Sequence, residues 1–333
     1  MLELIRKVCA AHGVAGFEKK AAETLCAEIK NYTDEQYTDA LGNLIAVKRG
    51  NGNGKKIMLC AHMDEIGFMV TFIEEKGQIR VSPLGGVGFA AISYGLVLSE
   101  NGVRGVIVPN GGTKPSDYTS DKFYIDIGAK NKKEAEKKVK IGDVFRFDVG
   151  ITRLMNGRIC GHPLDDRIGC VVLIKIAEAL ANEKINDDIY YVFSVQEEVG
   201  CRGSKTASFA IAPDIALAFD VTGVGDVPGA IPMACAVGDG AAIKIKDSSV
   251  ICDPKLVDEL IETAKANNIK YQLEVLTYGG TDTSSMQMSG NGSRAAAVSI
   301  PTRYIHSANE MLEIKDVEAC AELTVAYIKG INK

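Results

Sequence analysis

Tryptophan is absent from this chain, and aromatic residues of every kind make up only 6% of it. Polysaccharide clefts lean on flat rings for stacking, so that platform is largely missing. No apolar run reaches the ~18 to 20 residues of a helical membrane span. The opening segment Met1–Lys7 reads as an amphipathic helix and not as a signal peptide, and a cytoplasmic location is expected. Nine cysteines are present, an odd number, and none forms a Cys-x-x-Cys pair. They read as small buried hydrophobes in a reducing compartment, not as a disulfide framework or a zinc knuckle. No Gly-x-Ser-x-Gly elbow occurs, which argues against a serine hydrolase. Gly85-Gly86-Val87-Gly88 and Gly223-Val224-Gly225 fall short of a phosphate-binding fingerprint and read as turns. A formal net charge of −5 offers no basic field for nucleic acid. Histidine is scarce too: His12, His62, His162 and His306 are the whole set.

What is present is an ordinary globular composition, 46% hydrophobic and 24% charged over 333 residues, enough for one large core and two domains. Residues 1–31 carry helical periodicity, and Asp39–Gly42 turns into a strand over 43–48. Residues 50–54 read as a hairpin-like loop. Ile57-Met58-Leu59-Cys60-Ala61 is apolar throughout and reads as a central strand covered on both faces. From 68 to 160 the pattern changes to short alternating segments punctuated by glycine, with one charged helix over 131–139. That is the signature of a small, mostly antiparallel β-barrel or sandwich, taken as an insertion. Beyond it helices at 167–182, 203–210, 254–268, 282–288 and 314–330 alternate with strands at 189–196, 214–220, 241–246, 271–276 and 295–300. The expected fold is α/β, a mostly parallel sheet with helices on both faces, formed by 1–67 and 161–333 and interrupted by 68–160.

The stretch Tyr190-Tyr191-Val192-Phe193-Ser194-Val195-Gln196-Glu197-Glu198 runs a buried strand straight into two adjacent carboxylates. Side by side at the edge of an apolar core they repel and are costly to desolvate, so a cation is expected beside them. A solvated Glu-Glu pair opening a loop is the alternative for this segment alone. In open α/β sheets chemistry collects beyond the carboxyl ends of the strands. Those ends deliver His62 and Asp64, Glu197 and Glu198, and Asp220; Asp165 stands just before a helix, and His306 follows the last strand after a short loop. Imidazole and carboxylate together suit zinc, cobalt or manganese, and their number favours two ions over one. His62-x-Asp64 suits an imidazole whose second nitrogen is held by a carboxylate. Tyr278-Gly279-Gly280-Thr281-Asp282 reads as a glycine turn into a helix capped by Thr281 or Asp282, and also as a possible pocket wall.

Ala61-His62-Met63-Asp64-Glu65-Ile66-Gly67, Leu164-Asp165-Asp166-Arg167, Val195-Gln196-Glu197-Glu198-Val199-Gly200-Cys201-Arg202-Gly203, Phe219-Asp220 and Arg303-Tyr304-Ile305-His306-Ser307 stand in the order of motifs that this chain shares with another group. Together they resemble the tetrahedral (TET) aminopeptidase family of dinuclear metallo-aminopeptidases, also called glutamyl or deblocking aminopeptidases and in places labelled endoglucanase M. The resemblance covers essentially the whole chain. It implies a three-layer α/β/α metallopeptidase domain, phosphorylase/hydrolase-like, carrying a small β-barrel or PDZ-like dimerisation domain. It implies two divalent ions per subunit, zinc or cobalt with manganese as a further option. Asp165 would bridge them, with His62 and Asp220 on one and Glu198 and His306 on the other. Glu197 would be the general base, Asp64 would orient His62, and the Asp165–Asp166 peptide would be cis. The activity implied is release of N-terminal residues from short peptides, with dimers assembling into a dodecamer. An N-acyl amino acid deacylase on the same site is the alternative, and an endoglucanase a more distant one. His162, just before Asp165, is read as a spectator and not as a ligand.

Overall fold

The computed structural model describes residues 1–52 and 54–332; Asn53, in the expected loop 50–54, lies outside the described residues. Two amphipathic helices, α1 (Leu2–Ala10) and α2 (Lys19–Ile29), precede β1 (Glu35–Thr38), β2 (Leu44–Lys48) and β3 (Lys56–His62). Next come β4 (Gly67–Ile73), β5 (Ile79–Leu84), α3 (Phe89–Ile92), β6 (Leu96–Ser99), β7 (Arg104–Pro109), β8 (Phe123–Asp126), α4 (Lys132–Glu136) and β9 (Val144–Phe147). Two short strands, β10 (Thr152–Arg153) and β11 (Arg158–Gly161), lead into α5 (Arg167–Leu180). The remainder is β12 (Asp188–Ser194), α6 (Arg202–Ile211), β13 (Ile215–Thr222), β14 (Ala241–Lys246), α7 (Pro254–Ala266), β15 (Tyr271–Val275), α8 (Asp282–Gln287), β16 (Arg294–Pro301), β17 (Glu310–Glu313) and α9 (Ile314–Ile331).

The main sheet runs β1-β2-β12-β3-β13-β16-β14-β15. Its four central strands, β12, β3, β13 and β16, are mutually parallel. The sheet as a whole is more mixed than expected, because β2 pairs with β12 and β14 with β16 in antiparallel fashion. Pattern along a strand reports burial on its two faces and carries no direction, so these flanking reversals left no trace in the apolar runs.

Alternation along β3 shows why its run is apolar throughout. Ile57, Leu59 and Ala61 belong to one core with residues of α1, α2, α5, α7 and α9, whereas Met58 and Cys60 belong to a second with Ala207 and Ile211 of α6 and Met286 of α8. The result is a three-layer α/β/α frame.

The segment between β3 and β10 closes into a barrel of strand order β4-β5-β8-β7-β6-β9 around its own core of Phe68, Phe123, Phe145 and Phe147. Phe68 and Phe147 meet edge to face with centroids 5.6 Å apart. The charged helix of this region is shorter than its sequence suggests. Asn131 caps it by accepting from the Glu134 amide at 3.0 Å, and the helix ends at Glu136. β11 pairs antiparallel with β17, placing Gly161 opposite Glu310 and tying the approach to Asp165 to the segment after His306. The Asp165–Asp166 peptide is cis, and so is His162–Pro163.

Candidate active site

The carboxyl ends of the central strands open into a cavity of about 760 Å³ whose lining includes His62, Asp165, Glu197, Glu198, Asp220 and His306. The six come from five separate stretches of chain, Glu197 and Glu198 sharing one, and the sheet unites them. His62 ends β3, Asp220 lies near the end of β13, and Asp165 immediately precedes the first turn of α5. Glu197 and Glu198 leave β12 through Gln196, whose φ of 56° turns the chain sharply. Cys201, Tyr304 and His306 are also left-handed without being glycine (φ 49°, 61° and 61°). Such residues cost about 1 kcal/mol or more each and gather where a site needs side chains aimed against local preference.

Asp165 sits between two imidazoles. Its Oδ1 lies 3.1 Å from His62 Nε2, and its Oδ2 lies 3.4 Å from His306 Nε2. Around His62 Nε2 stand Asp220 Oδ1 at 3.8 Å and Glu197 Oε2 at 3.9 Å; His306 Nε2 also faces Glu198 Oε2 at 3.4 Å. Ligand atoms of His62, Asp165 and Glu198 fall within 4.8 Å of one another, and so do those of His62, Asp166 and Asp220.

Asp64, buried behind this ring, holds the glutamate pair by its backbone. Its Oδ1 accepts from the Glu197 amide at 3.0 Å and its Oδ2 from the Glu198 amide at 3.1 Å. His62 Nδ1 lies 3.2 Å from the Asp64 carbonyl and 3.5 Å from its carboxylate, so the main chain is the nearer partner. His162 is fully enclosed away from the cavity, against the Phe147 ring and 3.4 Å from Glu65. Arg146 and Arg167 also face Glu65, and Glu310 lies 3.7 Å from the other imidazole nitrogen.

Several groups in this region have partners that the sequence did not reveal. Asp166 caps α5 through Gly169 and accepts from the His62 amide at 3.2 Å. Asp282 is not the cap of α8; Thr281 is, and Asp282 is instead buried, accepting from Ser194 and Ser204 at 2.5 Å each. Glu310, wholly buried, accepts from the amides of Leu164 (2.6 Å) and Asp165 (3.1 Å) on Oε2 and of His306 (3.2 Å) on Oε1. The barrel contributes Gly85 and Gly86. A Cβ on Gly86 would meet His306 Nδ1 at 2.8 Å, and one on Gly85 would meet Glu198 Oε2 at 3.0 Å.

The cation expected beside Glu197 and Glu198 is not a lysine or arginine. Among the described residues, only the imidazoles come within ion-pairing distance of Asp165, Glu197, Glu198 and Asp220. Burial first, then Asp165, lifts Glu198 to about 8, and burial lifts Asp220 to about 6 against the opposing pull of His62. Burial opposes protonation of His306, but Asp165 and Glu198 outweigh it and raise its pKa to about 10. Buried Asp165 Oδ1 and Glu198 Oε1 have no hydrogen-bond donor, an expensive state for a carboxylate oxygen. A cage of oxygen and imidazole donors with surplus negative charge and orphaned oxygens is suited to divalent cations.

Strand-end imidazoles and carboxylates arranged about one aspartate, on a three-layer frame, define the class as a metallohydrolase. Comparison with known proteins gives the family. The family model described as M42 glutamyl aminopeptidase matches residues 42–323. A relative from Acetivibrio thermocellus, whose name assigns it provisionally to the aminopeptidases, is 46% identical, covering 98% of each chain. The solved structure of an aminopeptidase from the archaeon Desulfurococcus kamchatkensis superposes with a TM-score of 0.94 at 37% identity, over 98% of this chain and 94% of that one. The TET1 peptidase of Pyrococcus horikoshii, whose structure is described as assembling into a tetrahedron or a large octahedral shell, gives 0.88 at 32% identity, over 98% of each chain. The chain belongs to the M42 family and is a metal-dependent aminopeptidase, a hydrolase of peptide bonds.

Proposed function

We propose that this protein removes single residues from the free amino end of short peptides with two divalent ions, zinc or cobalt and secondarily manganese. The carrying observation is the Asp165 carboxylate, whose two oxygens face different imidazoles. His62 and Asp220 would hold one ion and Glu198 and His306 the other, with Asp165 shared between them. When bound, the ions lower the pKa of a water and polarise the peptide carbonyl.

The remaining work belongs to the chain. Glu197 is the general base: its Oε1 accepts from the Cys201 thiol at 3.1 Å, leaving Oε2 facing the cage. Oε2 takes the proton of the attacking water and passes it to the departing amine. Asp64, by gripping the amides of both glutamates, keeps base and ligand in fixed relation. Asp64, Asp165, Asp166, Asp220 and Asp282 are buried around the site, so negative charge remains in excess even beside two divalent ions. That excess favours an ammonium group on the substrate over an acyl cap, and so an aminopeptidase over a deacylase.

The catalytic unit is residues 1–67 with 161–333, and 68–160 is an inserted unit through which subunits pair. Phe72, Tyr94, Leu96 and Ile141 support this, being large apolar side chains left exposed on or beside the barrel. A cytoplasmic dodecamer built from such dimers is the assembly proposed; among the described residues no helix is long and apolar enough to cross a membrane.

Glu197→Gln should retain both ions and lose about 10²- to 10⁴-fold in kcat, whereas Asp165→Ala or Glu198→Ala should lose metal. Normal turnover by metal-replete Glu197→Gln protein removes the base assignment. Faster hydrolysis of N-acetylated than of free aminoacyl substrates would give the site to a deacylase.

A further inference from the structure

Beyond the cage, the cavity changes character. Its far wall is built from Val224, Val227, Ala230, Ile231, Leu276 and Tyr278. Hydroxyls also reach this wall, but their donors are turned inward. Thr222 donates to Glu274 at 2.8 Å, Ser249 to Asp247 at 2.8 Å, Thr302 to the Ile300 carbonyl at 3.0 Å and Ser284 to the Thr281 carbonyl at 3.2 Å. Outside the cage, the one charged side chain lining the cavity among the described residues is Arg303. Its charge is balanced there by Asp226, onto whose two oxygens Nε and Nη2 fork at 2.9 and 2.6 Å. Lys244 lies wholly buried and paired with Glu274, which leaves it no reach into the cavity.

We propose that this wall is a subsite for the side chain of the substrate's first residue, selecting uncharged aliphatic side chains, leucine and methionine foremost, over acidic or basic ones. The inference rests on the aminopeptidase reading and departs from the glutamyl preference in the family's description. A leucine or methionine side chain here leaves water for apolar contact. A glutamate carboxylate meets only a guanidinium whose charge Asp226 already balances, and a lysine ammonium meets no free acid on this wall, so neither ion gains a partner for the hydration it gives up.

A second observation points the same way. Ile231, Tyr278 and Tyr304 line the cavity yet stand 58%, 48% and 52% exposed, apolar surface left open for a ligand to cover. The Tyr278 hydroxyl also approaches Gly223 too closely to admit a Cβ there, which sets the ring against the end of β13.

The test is kcat/KM of the metal-loaded full-length protein on leucyl, methionyl, lysyl and glutamyl p-nitroanilides, with calorimetric binding of free leucine, lysine and glutamate as an independent readout. The leucyl and methionyl substrates should lead the other two by at least tenfold, and leucine should bind more tightly than either charged amino acid. Ile231→Glu, at a position exposed enough to leave the core intact, should raise the lysyl-to-leucyl ratio at least tenfold; Leu276→Asp should do so again from the floor. A lysyl or glutamyl substrate equal to leucyl, or ratios unmoved in a folded Ile231→Glu protein, overturns the subsite. If no free aminoacyl substrate is hydrolysed, the function proposed above fails, and the order of amino acid binding still decides the subsite.

Discussion

Glu310 holds two loops that the proposed chemistry needs in register, and replacing it measures how much that costs. Glu310→Ala leaves the amides of Leu164, Asp165 and His306 without their acceptor. Leu164 and Asp165 are buried, at 0% and 5% exposure, whereas His306 is open enough for water to replace the bond. Two orphaned interior donors at about 1 to 3 kcal/mol each give a loss of about 4 kcal/mol. Glu310→Gln keeps the shape and one acceptor oxygen. With that oxygen serving Leu164 and Asp165, its amide nitrogen opposes the His306 N–H, donor against donor, for a loss of about 1 to 2 kcal/mol. The assay pairs urea unfolding of the ion-free proteins with calorimetric zinc titration. The alanine variant should unfold earlier and bind zinc more weakly, and the glutamine variant should weaken the half of the site that contains His306 by about tenfold. A Glu310→Ala protein with wild-type urea midpoint and wild-type zinc titration would refute the idea that this carboxylate positions either loop.

Glu65 supplies a pH test. Burial would push its carboxyl up, but Arg146, His162 and Arg167 outweigh burial and hold it at about 2, against an ordinary 4.5. A lowered folded-state pKa contributes stability that is complete above 4.5 and disappears as pH falls toward 2, here about 3 kcal/mol. Chemical denaturation of Glu65→Gln should therefore show lower stability at neutral pH and a shallower acid decline than wild type; parallel declines would show that Glu65 is not responsible. For assembly, light scattering in metal-containing buffer should give a particle of about twelve chains, and Phe72→Glu with Leu96→Glu in the barrel should reduce it to smaller species. A monomeric wild-type protein contradicts the proposed assembly.

Much of this architecture was legible because burial leaves a period in the sequence. The unbroken apolar run of β3 announced a strand with a core on each side, and glycine-punctuated alternation announced the barrel. The strand-end rule then directed attention to His62, Glu197, Glu198 and Asp220, which do line one cavity. What stayed hidden was whatever depends on distant backbone. Glu310 looks like a loop carboxylate, yet its partners are amides 146 and 145 residues away and one four residues away. No spacing encodes such pairings. Asp282 followed a Gly-Gly turn and so resembled a helix cap, while its actual partners, Ser194 and Ser204, sit on other elements. Charge balance was half legible: crowded carboxylates demanded a cation, but only the structure shows that no lysine or arginine among the described residues answers.

Gly85 and Gly86 carry a consequence for how the molecule is controlled. They belong to the chain that forms the barrel, yet they abut Glu198 and His306 with clearance for hydrogen atoms and little else. A small tilt of the barrel on the sheet therefore either crowds these two side chains or frees them. With an ion held by Glu198 and His306 as proposed, its binding and the seating of the barrel would be linked equilibria, each biasing the other by the same free energy. A reporter dye on the barrel, far from any substrate, tests this: a signal unchanged by added zinc would show the two to be independent.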